Sequence, residues 1–280
     1  MLVAGVDVGA ATAKTAIVKD GEVISWDVMP TGDYVEQAAL EITESALAKA
    51  GYKMSDLDHV ISTGYGRRAV TFSERAISEI ICHAKGVNHM YPEVRTIIDI
   101  GGQDSKVISV RPNGTVADFV MNDKCAAGTG RFLEVMAEVL KLDITEMGPT
   151  AISSPHPSNI NSTCTIFAES EMVSLRAQKT PKEDIVAGLH RAVSRRVGIL
   201  GKQVGYKDRI AFTGGVAKNT GVIHFLEEFL QTKILIPEPP QLMGAIGAAL
   251  LATSKLGVTN FHNEPEEPAG DVGFDVSGEI

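Results

Sequence analysis

The stretch TIIDIGGQDSKVISV, residues 96–110, decides the fold. Thr96 to Ile100 has the pattern of a short strand, Gly101-Gly102-Gln103-Asp104-Ser105-Lys106 is a turn, and Val107 to Val110 is the return strand. Asn113-Gly114 closes the unit. The same design opens the chain. Leu2 to Val8 is a strand pattern, Gly9 to Lys14 is a small-residue turn, Thr15 to Lys19 returns, and Asp20-Gly21 leads to a third short strand near Val23-Ile24. At an offset of 92, Asp7-Val8-Gly9 falls on Asp99-Ile100-Gly101, Thr12 on Asp104 and Lys14 on Lys106. An acid, a glycine and a lysine at identical spacing point to an internal duplication. A third glycine turn, Thr213-Gly214-Gly215-Val216-Ala217-Lys218-Asn219, follows a strand pattern at Arg209 to Thr213.

Helical spacing fills the gaps, over Val35–Ala50, Thr71–His89, Arg131–Leu142, Ala168–Gln178, Lys182–Val204, Lys218–Leu230 and Gln241–Leu256. The segment Asp143 to Thr163, with Pro149, Pro155 and Pro157, reads as loop. Hairpins alternating with helices make an α/β protein, and a duplicated unit makes two halves with a cleft between them.

The chain has 280 residues, 44% apolar and 22% charged, which is ordinary globular composition. A chain of this length buries roughly three-quarters of its unfolded surface. Its 35 acids against 26 Lys and Arg give a net charge of -9, the wrong sign for a general nucleic-acid binder. The longest apolar stretch, Gly244 to Ala252, is too short to span a membrane. With no signal peptide visible and three cysteines (Cys82, Cys125, Cys164), the expected compartment is reducing and cytoplasmic, with no membrane partner. Thr259 to Ile280 carries six acids and neither Lys nor Arg, and is expected to be a weakly ordered tail outside the core.

The familiar phosphate motifs fail. Gly9 to Lys14 is one residue short of a Walker A loop, and neither Gly64-Tyr-Gly66 nor Gly128-Thr-Gly130 completes a dinucleotide fingerprint. Taken singly, each glycine turn reads as a tight hairpin. Taken together, they describe a phosphate site. Asp7 and Asp104 at strand ends suit Mg²⁺, which takes oxygen ligands and keeps several waters. Thr12 and Lys14 can bond phosphate oxygens from one half, and Gly101, Gly102 and Lys106 from the other. Cys125 and Cys164 each precede a helical pattern. They are either two small apolar residues or two metal ligands. Cys82 reads as core and His83 as a helix residue without a metal role.

With these residues in place, the sequence resembles a known superfamily. Phosphate loop 1 (Gly5-Val-Asp7-Val-Gly9), phosphate loop 2 (Asp99 to Lys106) and an adenosine loop (Thr213 to Asn219) look like those of the acetate and sugar kinase/Hsp70/actin ATPases. The fold this implies is a duplicated ribonuclease-H-like, two-lobed ATPase. Residues 1–92 plus 242–258 would form the first lobe and 93–241 the second. Within it the chain is similar to the BadF/BadG/BcrA/BcrD ATPase family, and more narrowly to the activators of 2-hydroxyacyl-CoA dehydratases. Ser62 to Arg67, Ile97 to Lys106, Met121 to Phe132 and Ser162 to Glu171 carry this. One departure is Ala10-Ala11, where the dehydratase activators often have Ser-Thr.

The resemblance implies ATP or ADP with Mg²⁺ in the cleft. Gly9, Thr12, Lys14, Gly101, Gly102, Gln103, Lys106, Gly214, Gly215 and Asn219 would bind the nucleotide, with Asp104 and Asp7 catalytic. It implies one [4Fe-4S] cluster per homodimer, held by Cys125 and Cys164. It also implies an electron donor, ferredoxin or flavodoxin, and an iron–sulfur dehydratase or reductase as acceptor. Benzoyl-CoA reductases, a small-molecule kinase of the same fold and a redox-inert nucleotide switch are the competing readings.

Overall fold

The structure is a computed structural model and describes residues 1–160 and 164–253. In the first half, β1 (Leu2–Val8), β2 (Thr12–Lys19) and β3 (Glu22–Pro30) form an antiparallel meander, followed by α1 (Val35–Lys49). β4 (His59–Thr63) and the short β5 (Arg75–Ala76) then precede α2 (Glu79–Met90). The second half repeats the plan with β6 (Thr96–Ile100), β7 (Ser105–Val110) and β8 (Val116–Asn122). Then come α3 (Gly130–Leu140), α4 (Ile144–Ile152), α5 (Thr165–Ala177), α6 (Lys182–Gly201), β9 (Ile210–Thr213), α7 (Thr220–Leu230) and α8 (Met243–Thr253).

The duplication is visible strand by strand. The sheet orders are β3-β2-β1-β4-β5 and β8-β7-β6-β9. In each, the first strand pairs antiparallel with the second and parallel with the fourth. Asp7 faces Lys14 across β1/β2, and Asp99 faces Lys106 across β6/β7. The turns match as well: Gly9 N–H donates to the Thr12 carbonyl at 3.0 Å, and Gly101 N–H to that of Asp104 at 3.0 Å. Each meander is irregular at one place, between Ile17 and Val18 and between Ser109 and Val110, the same offset of 92. Such a slip of register re-aims one strand without changing composition.

Packing follows the two sheets. Val6, Val8 and Ile17 bury one face of the first sheet against Ala38, Ile42 and Ala46 of α1. Ile98, Ile100 and Phe212 bury one face of the second against α3, α6 and α7. A third cluster joins the halves: Val3, Ala16 and Ile61 meet Ile97, Ile108 and Ala211 through α2 and α8. The helix α8 is buried from Met243 to Ala252 and lies against β1, β4 and α2. Its small residues are required there. A β-carbon at Gly247 would stand 1.8 Å from the carbonyl oxygen of Cys82, and one at Gly86 2.1 Å from that of Met243. The buried Cys82 is core, as its sequence context indicated.

Several sequence expectations change. The helix expected over Thr71–His89 begins at Glu79, because Arg75–Ala76 is drawn into the first sheet beside β4. The proline-rich segment Asp143–Thr163 contains α4, started by a capping box in which Asp143 accepts from Thr145 N–H and Glu146 from Asp143 N–H. The strand expected near Val23-Ile24 runs over nine residues, and Thr12 opens β2 rather than lying within the turn. The helix expected from Lys218 starts at Thr220 behind a short 3-10 turn. Ser162, Thr163 and the acidic tail lie outside the described residues.

Gly247→Ala tests the contact between α2 and α8. Overpacking of this kind costs about 1–3 kcal/mol, so the thermal midpoint should fall by several degrees. An unchanged midpoint would mean that the helices separate at no cost.

Candidate active site

A cavity of about 430 Å³ lies where the two hairpin turns face each other. It sits at the carboxyl ends of β1 and β4 and of β6 and β9, the usual place for a ligand in such sheets. Asp7, Gly9, Thr12, Lys14, Gly101, Gly102, Gln103, Asp104, Lys106, Gly214, Gly215 and Asn219, expected from the sequence, all line it. The two phosphate loops approach closely, since a β-carbon on Gly102 would come 2.6 Å from that of Ala11. Cys125 and Cys164 do not line this cavity.

The two duplicated Asp–Lys pairs have diverged. Lys14 Nζ is 3.5 Å from Asp7 Oδ2, a loose contact. Lys106 Nζ lies 2.8 Å from Asp104 Oδ2, 3.1 Å from Asp99 Oδ2 and 3.1 Å from Glu79 Oε1. Two of its N–H donors are hydrogen-bonded to the Asp99 and Asp104 carboxylates and Glu79 adds an ion pair, so its charge is directed at these acids rather than at a phosphate. Burial disfavours the Lys106 ammonium, but Asp99, Glu79 and Asp104 outweigh it and hold its pKa well above the usual lysine range. Burial likewise opposes the Asp99 carboxylate. His83, Lys106 and the Thr213 hydroxyl, which donates to Asp99 Oδ1 at 2.7 Å, hold its pKa well below the usual range. Glu79 shows the opposite balance: burial raises its pKa, Lys106 lowers it, and Asp104 and Asp7 add to the rise.

Oxygen donors on both sides of the cleft, Asp7 and Asp104 foremost, suit a Mg²⁺ ion with its water shell. Polyphosphate would bring the opposing negative charge, with Gly9, Thr12 and Lys14 on its first-half side.

The other end of the cavity suits a nucleoside. Gly214 has φ +87°, and a β-carbon there would stand 2.3 Å from the Ile100 carbonyl oxygen, so this turn admits only glycine. The wall opposite is α4, through Ile144, Thr145, Gly148 and Pro149. Asn219 caps α7, its Oδ1 accepting from Gly221 and Val222 N–H at 3.0 and 3.1 Å. Glu79, His83, Asp99, Tyr65 and Gly130 also line the cavity and were not among the expected site residues. For Asp99 a signal existed in its match to Asp7. For Glu79 and His83 only their i, i+4 spacing on α2 was available.

Both remaining candidates precede helices of the second half. Cys164 is the N-cap residue of α5, and Cys125 lies five residues before α3; both thiols are half-buried. The Cys125 loop is held in place. Asn122 Nδ2 donates to the Cys125 carbonyl at 2.9 Å, and Thr129 Oγ1 to that of Ala126 at 2.6 Å. The first amides of α3 then donate into phosphate loop 2, Gly130 N–H to the Gly101 carbonyl at 2.9 Å and Arg131 N–H to that of Gly102 at 2.8 Å.

Comparison with known proteins agrees with this geometry. Residues 4–252 match the BadF/BadG/BcrA/BcrD ATPase family. The chain is 43% identical over 253 residues to the 2-hydroxyisocaproyl-CoA dehydratase activator of Clostridioides difficile, covering 90% of this chain and 95% of that one. It is 44% identical over 253 residues to the (R)-2-hydroxyglutaryl-CoA dehydratase activating ATPase of Acidaminococcus fermentans, covering 90% and 96%. Identity to a benzoyl-CoA reductase component of Thauera aromatica is 30%, covering 89% and 92%. The solved activator of the 2-hydroxyisocaproyl-CoA dehydratase from Clostridium difficile, with bound ADPNP, superposes with a TM-score of 0.85 at 42% identity, covering 93% and 99%. A ROK family glucokinase from Streptomyces griseus shares the fold alone, at a TM-score of 0.54 and 14% identity, covering 90% and 99%.

The Asp99 environment gives a pH prediction. Its folded-state pKa lies below the unfolded value of about 3.9, so its contribution to stability is complete above that pH and lost as the pH falls below it. Asp99→Asn should lower the unfolding midpoint at neutral pH. The gap from the unaltered chain should narrow as the pH drops from about 5 toward 2. A gap constant across that range would mean that the charge of Asp99 does not stabilise the fold.

Proposed function

The chain belongs to the BadF/BadG/BcrA/BcrD ATPase family, and on that premise we propose that it hydrolyses ATP to pass a low-potential electron to a partner 2-hydroxyacyl-CoA dehydratase. The dehydratase branch is favoured over the aromatic-ring reductases by 43–44% identity to dehydratase activators against 30% to the reductase component. Two copies of the chain act together and hold one [4Fe-4S] cluster, each contributing Cys125 and Cys164. The cluster, when bound, supplies one-electron reduction, with ferredoxin or flavodoxin as the donor, in the cytoplasm.

The residues present suit such a cluster. Each chain offers two half-buried thiols, Cys164 at the N-cap of α5 and Cys125 in the loop that leads into α3, and the partial positive charge of a helix N-terminus suits a negatively charged cluster. Ile166 and Phe167, just after Cys164, are each 70% exposed, which supports cover from a neighbouring chain.

The observation that carries the proposal is the pair of hydrogen bonds from Gly130 and Arg131 to the Gly101 and Gly102 carbonyls. They join phosphate loop 2 to the start of α3, and the Cys125 loop runs directly into that helix. In this mechanism Gly9, Thr12 and Lys14 bind the phosphates from the first half, while Gly214 and Gly215 frame the nucleoside. Asp104 orients the attacking water and Asp7 the metal's water shell. Movement of phosphate loop 2 between the ATP and ADP states then shifts α3 and the loop that bears Cys125.

Iron analysis of anaerobically purified protein tests the shared ligand set. The expected content is about two irons per chain in a dimer, lost in both Cys125→Ala and Cys164→Ala. About four irons per chain, or an intact cluster in either variant, would contradict it.

A further inference from the structure

The helix α2 carries Glu79 and His83 one turn apart, so both side chains share one face. That face crosses from the first half to the second. Glu79 Oε1 lies 3.1 Å from Lys106 Nζ, and His83 Nδ1 lies 3.5 Å from Asp99 Oδ1, close enough for charge contact though not a hydrogen bond. Lys106 and Asp99 face each other across β7 and β6 and are themselves 3.1 Å apart. A chain of four groups therefore joins α2 to the central hairpin of the second half. It is buried: the side chain of Lys106 is 4% exposed and that of Glu79 14%. Among the described residues the duplicate pair in the first half, Asp7 and Lys14, has no such third partner in an ion pair.

The consequence falls on Asp104. One of its carboxylate oxygens folds over Gly101, where a β-carbon would stand 2.5 Å from it. The other takes Lys106 at 2.8 Å. Its orientation thus depends on where Lys106 is held, and among the described residues Glu79 is the first-half group that pairs with it. We infer that Glu79 is a positioning residue for ATP hydrolysis: through Lys106 it fixes the Asp104 carboxylate in register with phosphate loop 1 across the cleft. His83, through Asp99, steadies the far end of the same connection. The inference rests on the ATPase reading of the cleft and adds to it the residue that sets the geometry between its halves.

Steady-state ATP hydrolysis by the full-length protein tests it. Glu79→Gln keeps the size and a hydrogen-bond acceptor but removes the charge. The inference predicts that kcat falls by roughly 10- to 100-fold while KM for ATP changes little, the signature of a misplaced catalytic group. It also predicts that the Glu79→Gln/Asp104→Asn double variant is no slower than Asp104→Asn alone, because the two act through one ammonium. A purely structural Glu79 would instead lower the thermal midpoint and leave that coupling at zero. Glu79→Asp, with a shorter arm, should show an intermediate loss and carries the same cycle if Glu79→Gln does not fold. Unaltered kcat in either folded variant, or losses that multiply in the double variant, would overturn the inference. Absence of hydrolysis by the unaltered protein would instead overturn the ATPase reading and this inference with it.

Discussion

A lysine ammonium with almost no contact with water needs opposite charge and hydrogen-bond acceptors close by, or it would deprotonate or pull the fold apart. Lys106 meets that demand with Asp99, Asp104 and Glu79, drawn from β6, phosphate loop 2 and α2. Those three elements are consequently tied at one point. The tie fixes the second hairpin against α2, and α2 is fixed against α8 by glycine contacts that leave no room for a side chain. The first hairpin packs on α8 as well. The separation of the two phosphate loops is thus set by one buried charge cluster and one close-packed helix pair.

The duplication explains why such a cluster exists on one side only. Both hairpins inherited an aspartate facing a lysine. In the first, the pair is loose and lies beside Gly9, where a phosphate would sit. In the second, the pair is closed by Glu79 and His83. One copy leaves its lysine in a single loose ion pair, and the other holds its lysine in three. In the second half β8 is followed by α3, whose first amides reach phosphate loop 2 and whose approach carries Cys125. Nucleotide site and cysteine loop are therefore neighbours through two backbone hydrogen bonds.

Much of this was legible in the sequence, and the reasons for the rest are physical. The offset of 92 showed in charged and glycine residues, which turns and strand ends require. The matching irregularities at Ile17/Val18 and Ser109/Val110 have no compositional signature and needed coordinates. All twelve nucleotide-site residues expected from the sequence reached one cavity. The cavity's α4 wall was hidden by Pro149, although Asp143 and Glu146 form a capping box that the sequence does display. Glu79 and His83 were hidden for a deeper reason. Helical spacing places them on one face of α2, but what that face meets is a tertiary fact. Lys106 illustrates the same limit: sequence shows one acid two residues away, whereas the fold brings three carboxylates to it.

The central claim is that nucleotide state reaches the Cys125 loop through the amides of Gly130 and Arg131. Hydrogen–deuterium exchange over residues 122–131, compared between ADP and a non-hydrolysable ATP analogue, measures this directly. The account predicts that protection of that segment differs between the two nucleotides, with Gly130 and Arg131 among the amides that change. Identical exchange across 122–131, with differences confined to the glycine turns that line the cavity, would contradict it.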